Sequence, residues 1–135
     1  MTPKTVAELA ALPNIVGIKD SSGSFDNIQQ YLEVAASDFA LLAGTGSLIL
    51  PTLMAGGKGA IAATANVFPE VLVSIYENWR NGDFAGAERA QRRLRPAERL
   101  LSRYAAFRVE ACAEQNRHTG RPDAGVGRSA DAAGG

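Results

Sequence analysis

Lys19 stands at the end of a short apolar run, Asn14-Ile15-Val16-Gly17-Ile18, and is followed at once by the polar turn Asp20-Ser21-Ser22-Gly23. Strand interiors exclude ammonium groups, so a lysine in this place has two readings. It is a solvated strand end whose stem lies on apolar surface while its head reaches water, or it is an amine held in a pocket. In a low-dielectric pocket the charged form loses hydration, the pKa falls, and the free amine becomes a nucleophile suited to imine formation with a carbonyl. Side chains alternate along a strand, so Lys19 shares a face with Ile15 and Gly17, while Val16 and Ile18 point the other way. Gly17, one pleat below, is expected to leave space beside the lysine stem.

Other chemistry-bearing residues are sparse. Gly44-Thr45-Gly46 ends a second apolar run and reads as a tight turn into a helix. A phosphate cradle is disfavoured there, because no Lys-Ser/Thr pair follows. Ile61, in a third apolar run, reads as core, and Lys58, in the Gly-rich turn before it, reads as solvated. The single cysteine, Cys112, excludes an intrachain disulfide and supplies no metal cluster. Cys112 and His118 fall in a stretch too poor in apolar residues to hold a nucleophilic pair.

The elements that position these residues follow from periodicity. Residues 4–11 read as a short helix stopped at Pro13, and 14–19 as the first strand. Phe25, Ile28, Tyr31, Leu32 and Ala35 recur at helical spacing. Residues 39–44 form the second strand, and a short helix with Pro51 in its first turn stops at Gly56 and Gly57. Residues 59–67 read as the third strand. A helix opens at Pro69 and ends near Gly82, and Pro96 is expected to kink or break the next one. Leu94, Leu100 and Leu101 form the core-facing side of that last helix.

Strands alternating with helices, the strands being nearly continuous in apolar residues, predict parallel strands covered on both faces. The repeat of roughly 20 to 25 residues suits a barrel of β/α units, and the G-x-G-x-x-G fingerprint of a dinucleotide-binding sheet is missing from the first turn.

Composition bounds the function. The chain has 135 residues, with apolar residues at 46% and charged residues at 21%, as in an ordinary globular domain. Lys plus Arg equals Asp plus Glu at 14 each, so no net field recruits nucleic acid or an anionic membrane. The arginines from Arg89 to Arg103 are interrupted by Glu88 and Glu98 and read as a solvated outer face or a subunit contact. No run approaches the ~18 apolar residues of a membrane span, and the start lacks the apolar stretch of a signal peptide. A soluble cytoplasmic protein is the expectation.

The stretches "NIVGIKDSSG" and "LLAGTGSLILPTLMAGGKGAIAATANVFPE" resemble the dihydrodipicolinate synthase/N-acetylneuraminate lyase family, with the match running from about residue 4 to 109. Its members are (β/α)8 TIM-barrel enzymes that form a Schiff base between a lysine and pyruvate or another 2-oxo acid, and make or break the adjacent C–C bond. The resemblance implies that Lys19 is the imine-forming lysine. It places the backbone of Gly44 against the bound 2-oxo acid, Ile61 against the imine, and Thr45 and Gly46 where some members carry substrate-selecting groups. It implies a small-molecule 2-oxo acid substrate, no metal or organic cofactor, and a homo-oligomer for a full-length chain.

Such a barrel has eight strands and about 250 residues. Residues 1–109 supply the last three β/α units and following helices, a partial α/β barrel. The family's carboxylate-binding turn and its tyrosine motif have no counterpart, and Tyr31, Tyr76 and Tyr104 all lie in helical runs. Residues 110–135, rich in Gly, Ala, Arg and Asp, read as a disordered or frameshifted tail. The alternative to a Schiff-base lyase is therefore a truncated, non-catalytic remnant of the family.

Overall fold

The computed structural model describes residues 1–119, with side chains to Leu101 together with that of Arg103. It divides into Met1–Arg99, which holds all the described strands, and a second unit from Leu100, helical as far as Thr119.

Helix α1 (Pro3–Ala10) starts on Thr2, whose side chain accepts from the backbone of Thr5 at 3.2 Å, with Pro3 in the first turn where no N–H is needed. Strand β1 is Gly17–Asp20. Helix α2 (Phe25–Val34) is capped by Ser24, which accepts from the Asn27 N–H at 3.3 Å. Strand β2 (Ala40–Ala43) leads through a 3-10 turn, Gly46–Leu48, into α3 (Ile49–Met54). Pro51 sits in the first turn of α3, as expected. Strand β3 (Gly59–Ala60) is followed by a second 3-10 turn, Ala63–Asn66. Helix α4 (Pro69–Arg80) begins on Pro69 and carries Glu70 and Arg80 at the ends that favour their charges. Helix α5 spans Phe84–Thr119.

The three strands are parallel, in the order β1-β2-β3. Gly17, Ile18, Lys19 and Asp20 lie opposite Ala40, Leu41, Leu42 and Ala43, and Leu42 and Ala43 lie opposite Gly59 and Ala60. This register sorts the side chains. Ile18, Asp20, Leu41, Ala43 and Ala60 face the helices. There Val6, Ile28, Tyr31, Phe39 and Leu41 form one cluster, and Ala43, Ile49, Leu53, Val71, Ile75, Ala90 and Leu94 another. Each fully buried aliphatic side chain contributes about 2 kcal/mol of transfer free energy.

Four expectations are corrected. Among the described residues the helices of the first unit pack on one face of the sheet only, and Ala40, Leu42 and Gly59 on the second face are half-buried. The third strand is much shorter than residues 59–67, because the chain bends into the 3-10 turn, where Asn66 Nδ2 donates to the Ala63 carbonyl at 3.2 Å. Pro96 does not break α5: Leu94 and Ala97 are buried on either side of it and hold the helix in place, while Arg92, four residues back, is exposed. Leu100 is 67% exposed and is not core-facing. Helical backbone continues past Val109 to Thr119, and residues 120–135 of the expected tail lie outside the described residues.

Tyr31 ties α2 to the start of the chain, its hydroxyl donating to the Met1 carbonyl at 2.7 Å. Burial, and then the nearby Asp20 carboxylate, push its pKa above the ordinary tyrosine value. Raised in the folded state, this pKa makes a stability contribution that is fully present below about pH 10 and lost as pH rises through the folded value. Denaturant unfolding of the wild type should therefore fall more steeply above about pH 10 than that of Tyr31→Phe, which lacks the ionisation but costs about 1 kcal/mol at neutral pH. Parallel curves for the two proteins would contradict this reading.

Candidate active site

The carboxyl ends of β1 and β2 meet at Gly44. Its N–H donates to the Asp20 carbonyl at 2.6 Å, carrying the ladder one residue past the end of β2. A Cβ on Gly44 would lie 2.9 Å from Lys19 Cε and would collide with Ser21 Oγ. The bare Cα of residue 44 is thus what lets the lysine stem lie across the end of the neighbouring strand. Ile61 follows on the other side, its N–H donating to the Ala43 carbonyl at 2.8 Å. One step beyond the register of β2 and β3, Ile61 lies opposite Gly44 and shares the face of Lys19, Leu42 and Gly59. Ile61 is 54% exposed, so the core expected from its sequence context is not what surrounds it. Thr45, half-buried, opens the 3-10 turn with extended backbone, and its side chain makes no capping hydrogen bond. Lys19, Gly44, Thr45 and Ile61 are therefore brought to one end of the sheet.

Two details differ from expectation. Lys19 is exposed to solvent, not enclosed in a dry pocket, because it stands on the face of the sheet that the first unit's helices leave open. Gly17 does not make room for the lysine stem. A Cβ there would strike the backbone and Cβ of Ala40, so this glycine admits the close approach of β2.

The turn after Lys19 is built by side chains. The Asp20 carboxylate, only 8% exposed, accepts from the Ser22 N–H at 3.2 Å and from the Ser22 hydroxyl at 2.7 Å. Ser22 Oγ in turn accepts from the Ser24 N–H at 3.2 Å, and Ser24 caps α2. This relay fixes the direction in which the chain leaves β1, and with it the root of Lys19. The Asp-Ser-Ser sequence carried that signal as an Asx turn. Ser21, whose hydroxyl lies over Gly44, carried none, because its place depends on the pairing of β1 with β2.

The remaining candidates lie elsewhere. Lys58 is exposed, with its N–H bonded to the Leu41 carbonyl at 2.9 Å, one residue before β3 and so at the opposite end from Lys19. Tyr76 lies on α4 with its ring centroid 5.7 Å from that of Trp79. The side chains of Tyr104, Cys112 and His118 lie outside those described. Arg89, Arg92, Arg93, Arg95, Arg99 and Arg103 are exposed, with Arg89 3.8 Å from Asp83 and Arg92 paired to Glu88, as a solvated face requires. Among the described residues no group of three or more His, Cys, Asp or Glu side chains is placed to hold a metal ion. No helix among them is long and apolar enough to cross a membrane.

A 4-hydroxy-tetrahydrodipicolinate synthase of Methanopyrus kandleri is 43% identical over 102 residues, covering 75% of this chain and 34% of the relative. The enzyme of the same name from Hyphomonas neptunium is 35% identical and covers 98% of this chain and 49% of its own length. Among solved structures, YagE, an Escherichia coli prophage protein of the dihydrodipicolinic acid synthase family in complex with pyruvate, superposes with a TM-score of 0.65 at 35% identity. That match covers 67% of this chain and 32% of YagE. The chain thus spans between about a third and a half of the length of these relatives. Residues 1–116 match the model of the dihydrodipicolinate synthetase family, and the chain belongs to that family.

Proposed function

We propose that this chain carries the imine-forming part of a lyase site for pyruvate or a related 2-oxo acid, with Lys19 as the nucleophile. The observation that carries the reading is the seating of the Lys19 stem against the bare Gly44 at the carboxyl ends of two adjacent parallel strands, with Ile61 beyond. Active sites of β/α barrels lie at this end of their strands. Family membership supports the same assignment, and the pyruvate bound by YagE supports the substrate class.

In this reading the neutral Lys19 amine adds to the keto carbon, and the carbinolamine takes up a proton from solvent and loses water, leaving a protonated imine. The imine accepts the electron pair released when a proton leaves, or a C–C bond breaks, at the neighbouring carbon. Run backwards, the resulting enamine attacks an aldehyde, and water then frees the lysine. The protonated imine is itself the electron sink, so the chemistry calls for no metal or organic cofactor. Gly44 offers backbone without a side chain to the bound acid, Ile61 presents apolar surface to the imine, and Thr45 offers a hydroxyl that no helix cap uses. The three β/α units act as the last part of a TIM barrel, whose other units would wall the lysine off from water, and the assembled protein is a homo-oligomer.

A second reading, a non-catalytic chain, is favoured by one observation: Lys19 is exposed. Borohydride reduction in the presence of pyruvate separates the two. The imine reading predicts a reduced pyruvate adduct that peptide mass analysis places on Lys19, and its loss in Lys19→Met. An unmodified chain, with a full-length relative as positive control, would leave the non-catalytic reading. Gly44→Ala should slow adduct formation at least about tenfold, because a displaced nucleophile loses its alignment. Overpacking against Lys19 and Ser21 should also cost about 1–3 kcal/mol in denaturant unfolding. An alanine at 44 with wild-type trapping and stability would show that the close approach has no consequence.

A further inference from the structure

The turn that follows β2 is held from behind by one side chain of α5. Gln91 Nε2 donates to the Gly46 carbonyl at 2.8 Å, and Gln91 Oε1 accepts from the Leu50 N–H at 2.9 Å. Both ends of one amide are used, on two backbone groups that bound the 3-10 turn and the start of α3. The second bond replaces a missing cap. The residue at the N-cap of α3 is Leu48, which has no side-chain acceptor, so the Leu50 N–H is one of the donors a helix start leaves unpaired. Gln91 supplies that acceptor from another helix.

The placement of Gln91 is not that of a surface polar residue. Among the described side chains of α5, Ala87, Ala90, Leu94 and Ala97 form a buried apolar stripe, and Gln91 lies within it. Glu98, two turns further along, falls on it too, and its carboxylate fills the space that a Cβ on Gly46 would occupy. Gly46 is 3-10 turn backbone approached by Glu98 of α5, while Gly44, two residues earlier, is approached by Ser21, Asp20 and Lys19. The backbone between them has little freedom once both are fixed.

The geometry points to Gln91 as a positioning residue of the site: through Gly46 it sets where Gly44 and Thr45 stand relative to Lys19. This rests on the imine reading above, since it is the 2-oxo acid that Gly44 and Thr45 would meet. The amide is required as such. A carboxylate at 91 keeps the acceptor for Leu50 but sets a negative charge against the Gly46 carbonyl, and a methionine keeps the volume but loses both bonds.

The test is borohydride trapping of pyruvate on the chain, read as the half-saturating pyruvate concentration, with thermal unfolding of each variant measured alongside. Gln91→Met should raise the half-saturating concentration about tenfold, the effect of losing one or two well-made hydrogen bonds that align the turn. Gln91→Glu should raise it as well. Ala87→Gly, on the same stripe but with no side-chain hydrogen bond to Gly46 or Leu50, controls for stability. It should lower the melting temperature and the amount of trappable protein, and leave half-saturation where it was. Wild-type half-saturation in Gln91→Met, or an equal shift in Ala87→Gly, would overturn the positioning role and leave the imine reading standing. No adduct on wild-type Lys19 would overturn the imine reading, and the role of Gln91 with it.

Discussion

The missing side chain of Gly44 is the constraint on which the site depends. β1, with Lys19 before its last residue, and β2, which passes into Gly44, end side by side, and a Cβ on Gly44 would meet Ser21 Oγ, the Asp20 carbonyl and, at 2.9 Å, Lys19 Cε. The Gly44 N–H to Asp20 carbonyl bond closes the ladder at that point. The relay Asp20–Ser22–Ser24 sends the chain from β1 into α2, and Gln91 ties the turn beyond Gly44 to α5. Each of these fixes backbone, and none of them touches the amine itself. Lys19 stays exposed while the backbone beside it is held.

The sheet has two unequal faces, and this inequality links packing to function. On one side Leu41, Ala43 and the helical residues Ile28, Ile49, Leu53, Ile75 and Leu94 are buried in continuous apolar clusters. That burial holds the strands in register. On the other side stand Lys19, Leu42 and Ile61, half-buried or exposed. A parallel sheet of β/α units ordinarily buries both faces. Lys19 thus sits on the face whose stabilisation does not come from the helices of the first unit, and any wall around it must come from elements that pack there.

Much of this was legible in the sequence, for local reasons. The apolar runs around Ile18 and Leu41, the spacing of Phe25, Ile28 and Tyr31, and the prolines at helix starts each act within a turn or a few residues. Elements built on them appear where expected. The carry-over of Lys19, Gly44, Thr45 and Ile61 from the family resemblance brought together residues that the fold places at one end of the sheet. What was not legible depends on tertiary partners. The run after Ala60 looks like strand because Ile61 and Val67 are β-branched, yet the chain bends into a 3-10 turn at Ala63. Pro96 is read locally as a breaker, but the buried Leu94 and Ala97 keep α5 continuous. The exposure of Lys19 depends on which face the helices cover. Gln91 is one more polar residue in an arginine-rich stretch, and only its alignment with Ala87, Ala90 and Leu94 marks it as facing inward.

The central claim is that the amine of Lys19, placed over Gly44, captures a 2-oxo acid. The direct measurement is carbon NMR of the chain with pyruvate carrying carbon-13 at its keto position. A new protein-bound imine resonance is expected, one that Lys19→Met abolishes and Lys58→Met leaves intact. A label that remains free ketone, or an imine that survives the loss of Lys19, would contradict it.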